Sequence, residues 1–203
     1  MFRSAVSVFS TLMIVFISVM LSGCTFIFQK GRRVDVEKIS KLKNELSDLE
    51  RAKAELENRL KQEISDKDVQ VQMAQNGLVI TFVAEVLFDS GKAEIKQPSF
   101  EMLNKVAQVL IETVPDLSVG VEGHTDNQPI RYSGWKSNWE LSSARALSVV
   151  HYLQDEKKID PFRLAAIGHG EYKPVESNDT KLGQQKNRRV EIVILPQTPV
   201  KGR

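Results

Sequence analysis

The stretch "GHTDNQPI", Gly123 to Ile130, sets a histidine, a threonine and an aspartate directly behind a glycine. Three chemistries fit such a cluster: a metal site, an acid–base pair, or a grip on a charged ligand. A zinc site draws on three or four converging His, Cys or carboxylate groups. The chain has three histidines, His124, His151 and His169, and one cysteine. None of the histidines belongs to a ligand pair such as HxxxH. His151 falls mid-helix beside Tyr152, and His169 lies between glycines in a turn. Two histidines with Asp126 could converge in space, yet no metal is expected from this pattern. Serine hydrolysis lacks its GxSxG elbow, since Ser142 and Ser143 fall inside a helical stretch. Phosphate binding lacks a glycine-rich loop with lysine. As a carboxylate pair, Glu122 points to the opposite strand face from Val121, while Asp126 lies past the strand's end. No catalytic residue and no cofactor is assigned.

The charged-ligand reading gains from Arg145. It stands in the row Leu141, Arg145, Val149, spaced four apart on a helix. Arginine is rarely buried unless paired, so an anionic partner is expected where this row faces the sheet. Two readings remain open. In one, Arg145 forms a structural salt bridge to Asp126 or another carboxylate. In the other, Asp126 and Arg145 flank a cleft and hold opposite ends of a zwitterion. An aspartate accepts from an ammonium, and the planar guanidinium takes a carboxylate bidentately.

The elements that position these residues follow from periodicity. Val69, Val71 and Met73 alternate, and Asn76-Gly77 marks a hairpin with "LVITF" returning. Pro98 opens a helix bearing Met102, Leu103, Val106, Val109 and Leu110 on one side. "LSVGVEG" is a strand that delivers the chain into His124, Thr125 and Asp126. Ser137 and Glu140 form a capping box for a second helix. "RLAAIG" is a short strand, Asp179-Thr180 starts a last helix, and "RRVEIVIL" is a closing strand. Strands alternating with helices of crossover length predict an α+β domain with βαβ units on a mixed sheet, since the hairpin adds an antiparallel element.

The N-terminal third reads differently. The chain has 203 residues and a net charge of +2, so composition points to neither nucleic acid nor an acidic partner. Residues 1–23 read as a signal peptide: Arg3, then an uncharged apolar run from Ser4 to Gly23, which at ~20 residues is also about long enough for an uncleaved membrane-spanning anchor. "LSGC" resembles the lipobox of bacterial lipoproteins, which implies lipidation at Cys24. Family lipoproteins carry three acyl chains, which would make the anchor firm. Thr25 in place of an aspartate favours the outer membrane by that family's rule. Residues 24–33 form a linker. Residues 34–68 lack proline and glycine and carry a heptad seam: Ile39, Leu46, Lys53 and Leu60 at a, and Leu42, Leu49 and Leu56 at d. This predicts a self-associating coiled-coil helix of ~50 Å as a spacer, with a lone amphipathic helix lying on the globular domain as the alternative. The globular domain is placed at 69–195 and a disordered tail at 196–203.

"VLFDSGKAEIK", "GHTDNQPI", "SNWELSSARA" and "NRRVEI", in this order, resemble the OmpA-like peptidoglycan-binding domain, and "SGWKSNWELSSARA" resembles its MotB-type variant. The resemblance implies non-covalent binding of peptidoglycan at the diaminopimelate of its peptide stem. By motif position it places the ammonium contact on Asp126 and the carboxylate contact on Arg145. Asn138, Thr125 and the backbone near Asp89 and Ser90 become the other walls. It implies no chemical role for His169 and none that can be assigned to Asn187, Arg188 and Arg189. The whole is read as a lipoprotein of the periplasmic face that tethers the outer membrane to the wall. A motor stator is the first rival, but Ser4 to Gly23 has no acidic residue for an ion channel. A wall hydrolase is the second.

Overall fold

The computed structural model describes residues 34–131 and 133–196. The signal segment, the linker, Cys24 and residues 197–203 of the tail lie outside the described residues. No helix among the described residues is long and apolar enough to cross a membrane.

Contacts divide the chain into two compact units, residues 1–45 and 46–203. The described part of the first, residues 34–45, is helical and keeps Val34, Val36, Ile39 and Leu42 exposed. The second unit carries a five-stranded mixed sheet in the order β1-β2-β5-β3-β4. Its strands are β1 (Val69–Ala74), β2 (Gly77–Val83), β3 (Ser118–Gly123), β4 (Leu164–Gly168) and β5 (Arg189–Leu195). Its helices are the C-terminal part of α1 (34–59), then α2 (Lys61–Ser65), α3 (Ala84–Leu87), α4 (Ser99–Glu112), α5 (Asn138–His151) and α6 (Lys181–Asn187).

The hairpin forms one residue earlier than its strongest signal suggested. Ala74 pairs with Gly77, so Gln75 and Asn76 make the turn. β3, α5 and β4 form the expected parallel βαβ unit. The closing strand β5 inserts between β2 and β3, antiparallel to both. Alternation then decides the faces. Ile80, Phe82, Val119, Val121, Val190 and Ile192 point inward to the core, where α4 and α5 pack. Thr81, Glu122 and Glu191 share the opposite face.

Seam residues Leu49, Leu56 and Leu60 belong to this same core, together with Ala52. Their burial within one chain leaves them unavailable to a coiled-coil partner. The spacing 49, 52, 56, 60 suits an amphipathic helix covering its own domain as well as it suits a heptad seam. Lys53 instead reaches Glu57 at 3.0 Å, an i,i+4 pair.

Two glycines hold α5 close over the sheet. A Cβ on Gly123 would sit 2.1 Å from the Ser142 carbonyl oxygen, and one on Gly168 would sit 2.0 Å from Ser143 Oγ. Only glycine permits this approach, and it fixes where Asn138 and Arg145 stand relative to the end of β3. Ser137 caps the helix, its Oγ accepting from the Glu140 amide at 3.5 Å, while the Glu140 carboxylate accepts from the Lys136 amide at 2.8 Å, one residue before the position a capping box uses.

Candidate functional site

β3 ends at Gly123, and the chain then crosses the C-terminal edge of the sheet as His124, Thr125 and Asp126, all buried. Asp126 closes a short turn by accepting from the Gln128 amide at 3.1 Å. Thr125 Oγ1 donates to the Asp126 carbonyl at 2.9 Å, and its own amide donates to Gly170 O at 2.9 Å. Asn138, first residue of α5, donates to the carbonyl of Gln128 at 3.1 Å and to the Glu171 carboxylate at 2.7 Å. Thr125 and Asn138 thereby hold the backbone that presents Asp126.

Asp126 has a partner that sequence reasoning left without a role. Arg188, just before β5, donates to Asp126 Oδ2 at 2.6 Å and to Glu85 at 2.5 Å. Burial works against the Arg188 charge, but the hydrogen bonds to Asp126 and Glu85 outweigh it and raise its pKa. The neighbouring Asn187 is wholly buried and structural. Its side chain accepts from the amides of Val175 and Glu176 and donates to Glu176 O and Asn178. The signal for both lay in "NRRVEI", which carried no ligand chemistry by itself.

Arg145 sits differently from either expectation. It is 4% exposed, yet no carboxylate lies within ion-pair distance of it among the described residues. Its Nε donates to the Lys92 carbonyl at 2.9 Å and an Nη donates to the Asp89 carbonyl at 3.4 Å. The guanidinium lies over the Phe88 ring, 5.3 Å from its centroid. Desolvation lowers its pKa to about 10, which still leaves it charged at neutral pH. Beyond the carbonyls and the ring face, its charge is met only at longer range by the Glu85 and Asp126 carboxylates, and an entering anion would complete it.

Both groups open into one cleft of about 900 Å³, lined also by Thr125, Ser90, Asn138, Leu141 and Arg188. One wall is the loop after α3, closed by the Phe88–Ile95 bridge. Ser90 faces the cleft. The Asp89 side chain does not line it and binds Lys92 at 2.9 Å, which holds its carboxyl below the usual range. Its contribution is the backbone carbonyl. Trp135 Nε1 donates to Gly91 O at 2.8 Å and so ties the 127–137 loop to that wall. The cleft thus presents a carboxylate and a guanidinium on separate elements, which suits a ligand carrying both charges.

His169 was expected to have no chemical role. It pairs with Glu122 at 2.6 Å, and its ring stacks on His124 at 4.7 Å between centroids. Desolvation drives the His124 pKa down to about 3, with the Arg189 charge adding to the shift, so its ring is neutral.

Comparison with known proteins places this architecture. The OmpA family matches residues 87–188, which span both walls of the cleft and Arg188. Motility protein B of Bacillus subtilis is 39% identical over 73% of this chain, and the chain spans 57% of that protein's length. The YtxE protein of the same organism is 36% identical over 81% of this chain and 70% of its own length. Among solved structures, the cell wall anchor of the type VI secretion system of Pseudomonas aeruginosa superposes with a TM-score of 0.63 at 33% identity, over 70% of this chain and 97% of that one. A MotB-like protein of Desulfovibrio vulgaris has the same fold, with a TM-score of 0.69 at 22% identity over 79% and 98% of the two chains. By name, one of these relatives is a motility protein and one a cell wall anchor, and neither is an enzyme. On the match across residues 87–188 and the fold that carries it, the chain belongs to the OmpA family, with relatives of the MotB type.

Proposed function

We propose that the chain anchors to the cell wall by holding peptidoglycan non-covalently in the Asp126–Arg145 cleft. The ligand group is the zwitterionic end of diaminopimelate on the peptide stem. The carrying observation is Arg145, a buried guanidinium with no carboxylate partner among the described residues, opening into the cleft that Asp126 also lines. The ligand carboxylate takes the free edge of Arg145, and the ammonium adds to the Asp126 carboxylate. An ionised carboxylate offers about four lone-pair sites, and Gln128 N and Arg188 occupy two of them. Thr125, Asn138 and Ser90 shape the walls, and the Asp89 carbonyl orients the guanidinium. The 33% identity with a structure described as a cell wall anchor supports this reading.

Free diaminopimelate is expected to compete with purified peptidoglycan for the full chain in sedimentation assays. An analogue lacking the free amine or its carboxylate is expected not to compete. Wall binding indifferent to diaminopimelate would remove this ligand assignment.

In the same reading the chain is a lipoprotein processed at Cys24, held in the outer membrane and facing the periplasm. Support comes from "LSGC" and from the relative named Probable lipoprotein YiaD of Escherichia coli, 34% identical over 69% of this chain. Mass spectrometry of the mature protein is expected to find an acylated Cys24 at its N-terminus. An intact Met1 segment would overturn the lipid anchor. Self-association would rest on Ile39, Leu42 and Leu46, the seam positions that stay exposed. A second reading, association with a flagellar motor, is favoured by the identity with Motility protein B.

A further inference from the structure

Across the sheet edge from the cleft lies a group that wall binding does not use. Glu122 is on the outer face of β3, and His124 follows directly after the strand's last residue, Gly123. Gly123 pairs with Gly168 in parallel register, which sets His169 beside His124 as each chain leaves the sheet. The His169 amide donates to Gly123 O at 2.9 Å and holds that alignment. One donor atom from each of Glu122, His124 and His169 lies within 4.8 Å of the others.

His124 is the second observation. It is 3% exposed, and neither of its ring nitrogens has a hydrogen-bond partner. A buried polar group left unpaired is costly, and a neutral imidazole is a metal ligand by its free nitrogen. The pair beside it, His169 and Glu122, keeps side chains 21% and 26% exposed, so an ion has a path in and these groups have room to turn. Arg189, whose charge acts on His124, is already paired with Glu191 at 2.5 Å.

We propose that Glu122, His124 and His169 form a binding site for a divalent transition-metal ion, zinc by ligand chemistry, with water in the fourth position. Two imidazoles and one carboxylate are a donor set that zinc accepts, at about 2.0–2.2 Å per bond. Such bonds put tetrahedral donors ~3.3 Å apart, so the three side chains must close in from their present spread. The His169 ring gives up its hydrogen bond to Glu122, and both then bind the ion. Bound there, the ion would clip the exits of β3 and β4 together. Those exits carry Thr125 and Gly170, which are hydrogen-bonded to each other at 2.9 Å behind the Asp126 wall. The site stands whether or not the cleft takes diaminopimelate.

The test uses the full chain, purified in detergent without a histidine tag and stripped with a chelator. Titration with Co²⁺ is expected to develop the visible absorption of a tetrahedral ion at one ion per chain, and Zn²⁺ is expected to displace it. His169→Ala and Glu122→Gln should each weaken Zn²⁺ binding by at least about tenfold, since loss of even an outer-shell group costs that much. His151→Ala should bind as the wild type does, because His151 pairs with Asp155 on the surface, away from the three ligands. Thermal melts of the metal-free variants show whether each is folded. If His169→Ala does not fold, Glu122→Gln, which keeps the residue's shape, decides the question. A wild type that binds neither ion overturns the proposal. So does undiminished binding by the folded variants, or a loss confined to His151→Ala.

Discussion

Arg145→Ala is expected to weaken sedimentation of the full chain with purified peptidoglycan by roughly ten- to a hundredfold. A hydrogen bond to a charged group contributes about 1.5–3 kcal/mol, and each ~1.4 kcal/mol is tenfold in binding. Arg145→Lys should fail as well, because an ammonium cannot present two parallel donors. Asp126→Ala should lose binding over the same range. The melting behaviour of the variants separates ligand binding from structural support. Arg145 has no carboxylate partner to strand among the described residues, and its removal relieves a desolvated charge. Its variant should therefore melt near the wild type. Asp126→Ala leaves Arg188 still held by Glu85, so its stability loss should be modest. Stable variants of both residues that bind wall normally would refute the claw. A large melting loss in Arg145→Ala would instead make the guanidinium a brace for the carbonyls of Asp89 and Lys92.

Leu56→Ala is expected to destabilise the domain by about 2–5 kcal/mol, the cost of truncating a fully buried leucine. For a unit of this size that lowers Tm by roughly 4–20 °C. Leu42→Ala, at a side chain 61% exposed, should leave Tm within about 1 °C. The same Leu42 variant should shift the full chain toward monomer in light scattering if Ile39, Leu42 and Leu46 carry self-association. The contrast tests which face of one helix serves which purpose. If Leu56→Ala melts like the wild type and dissociates an oligomer, the long intermolecular seam is restored. If neither variant changes the oligomeric state, the exposed stripe does not associate.

Features written within a turn or a strand were legible in the residues. Ser137 caps α5 because its hydroxyl has only to reach the amide three residues on. Alternation at Val119 and Val121 put Glu122 on the outer face and carried the chain to Asp126 at the strand's end. The row Leu141, Arg145, Val149 marked a buried arginine, because an apolar helix face has to meet a core. Long-range contacts decided the remainder. β5 enters the sheet between β2 and β3, an order that no local period encodes. Arg145 meets carbonyls 53 and 56 residues away, and Asp126 meets Arg188 across 62 residues. A leucine at Leu56 has the same spacing whether its apolar face covers its own sheet or a second helix. Nor could Gly-His-Gly show that parallel register would lay His169 against Glu122 and His124. Periodicity specifies which face of an element is apolar; only packing determines what that face, and the polar groups beside it, will touch.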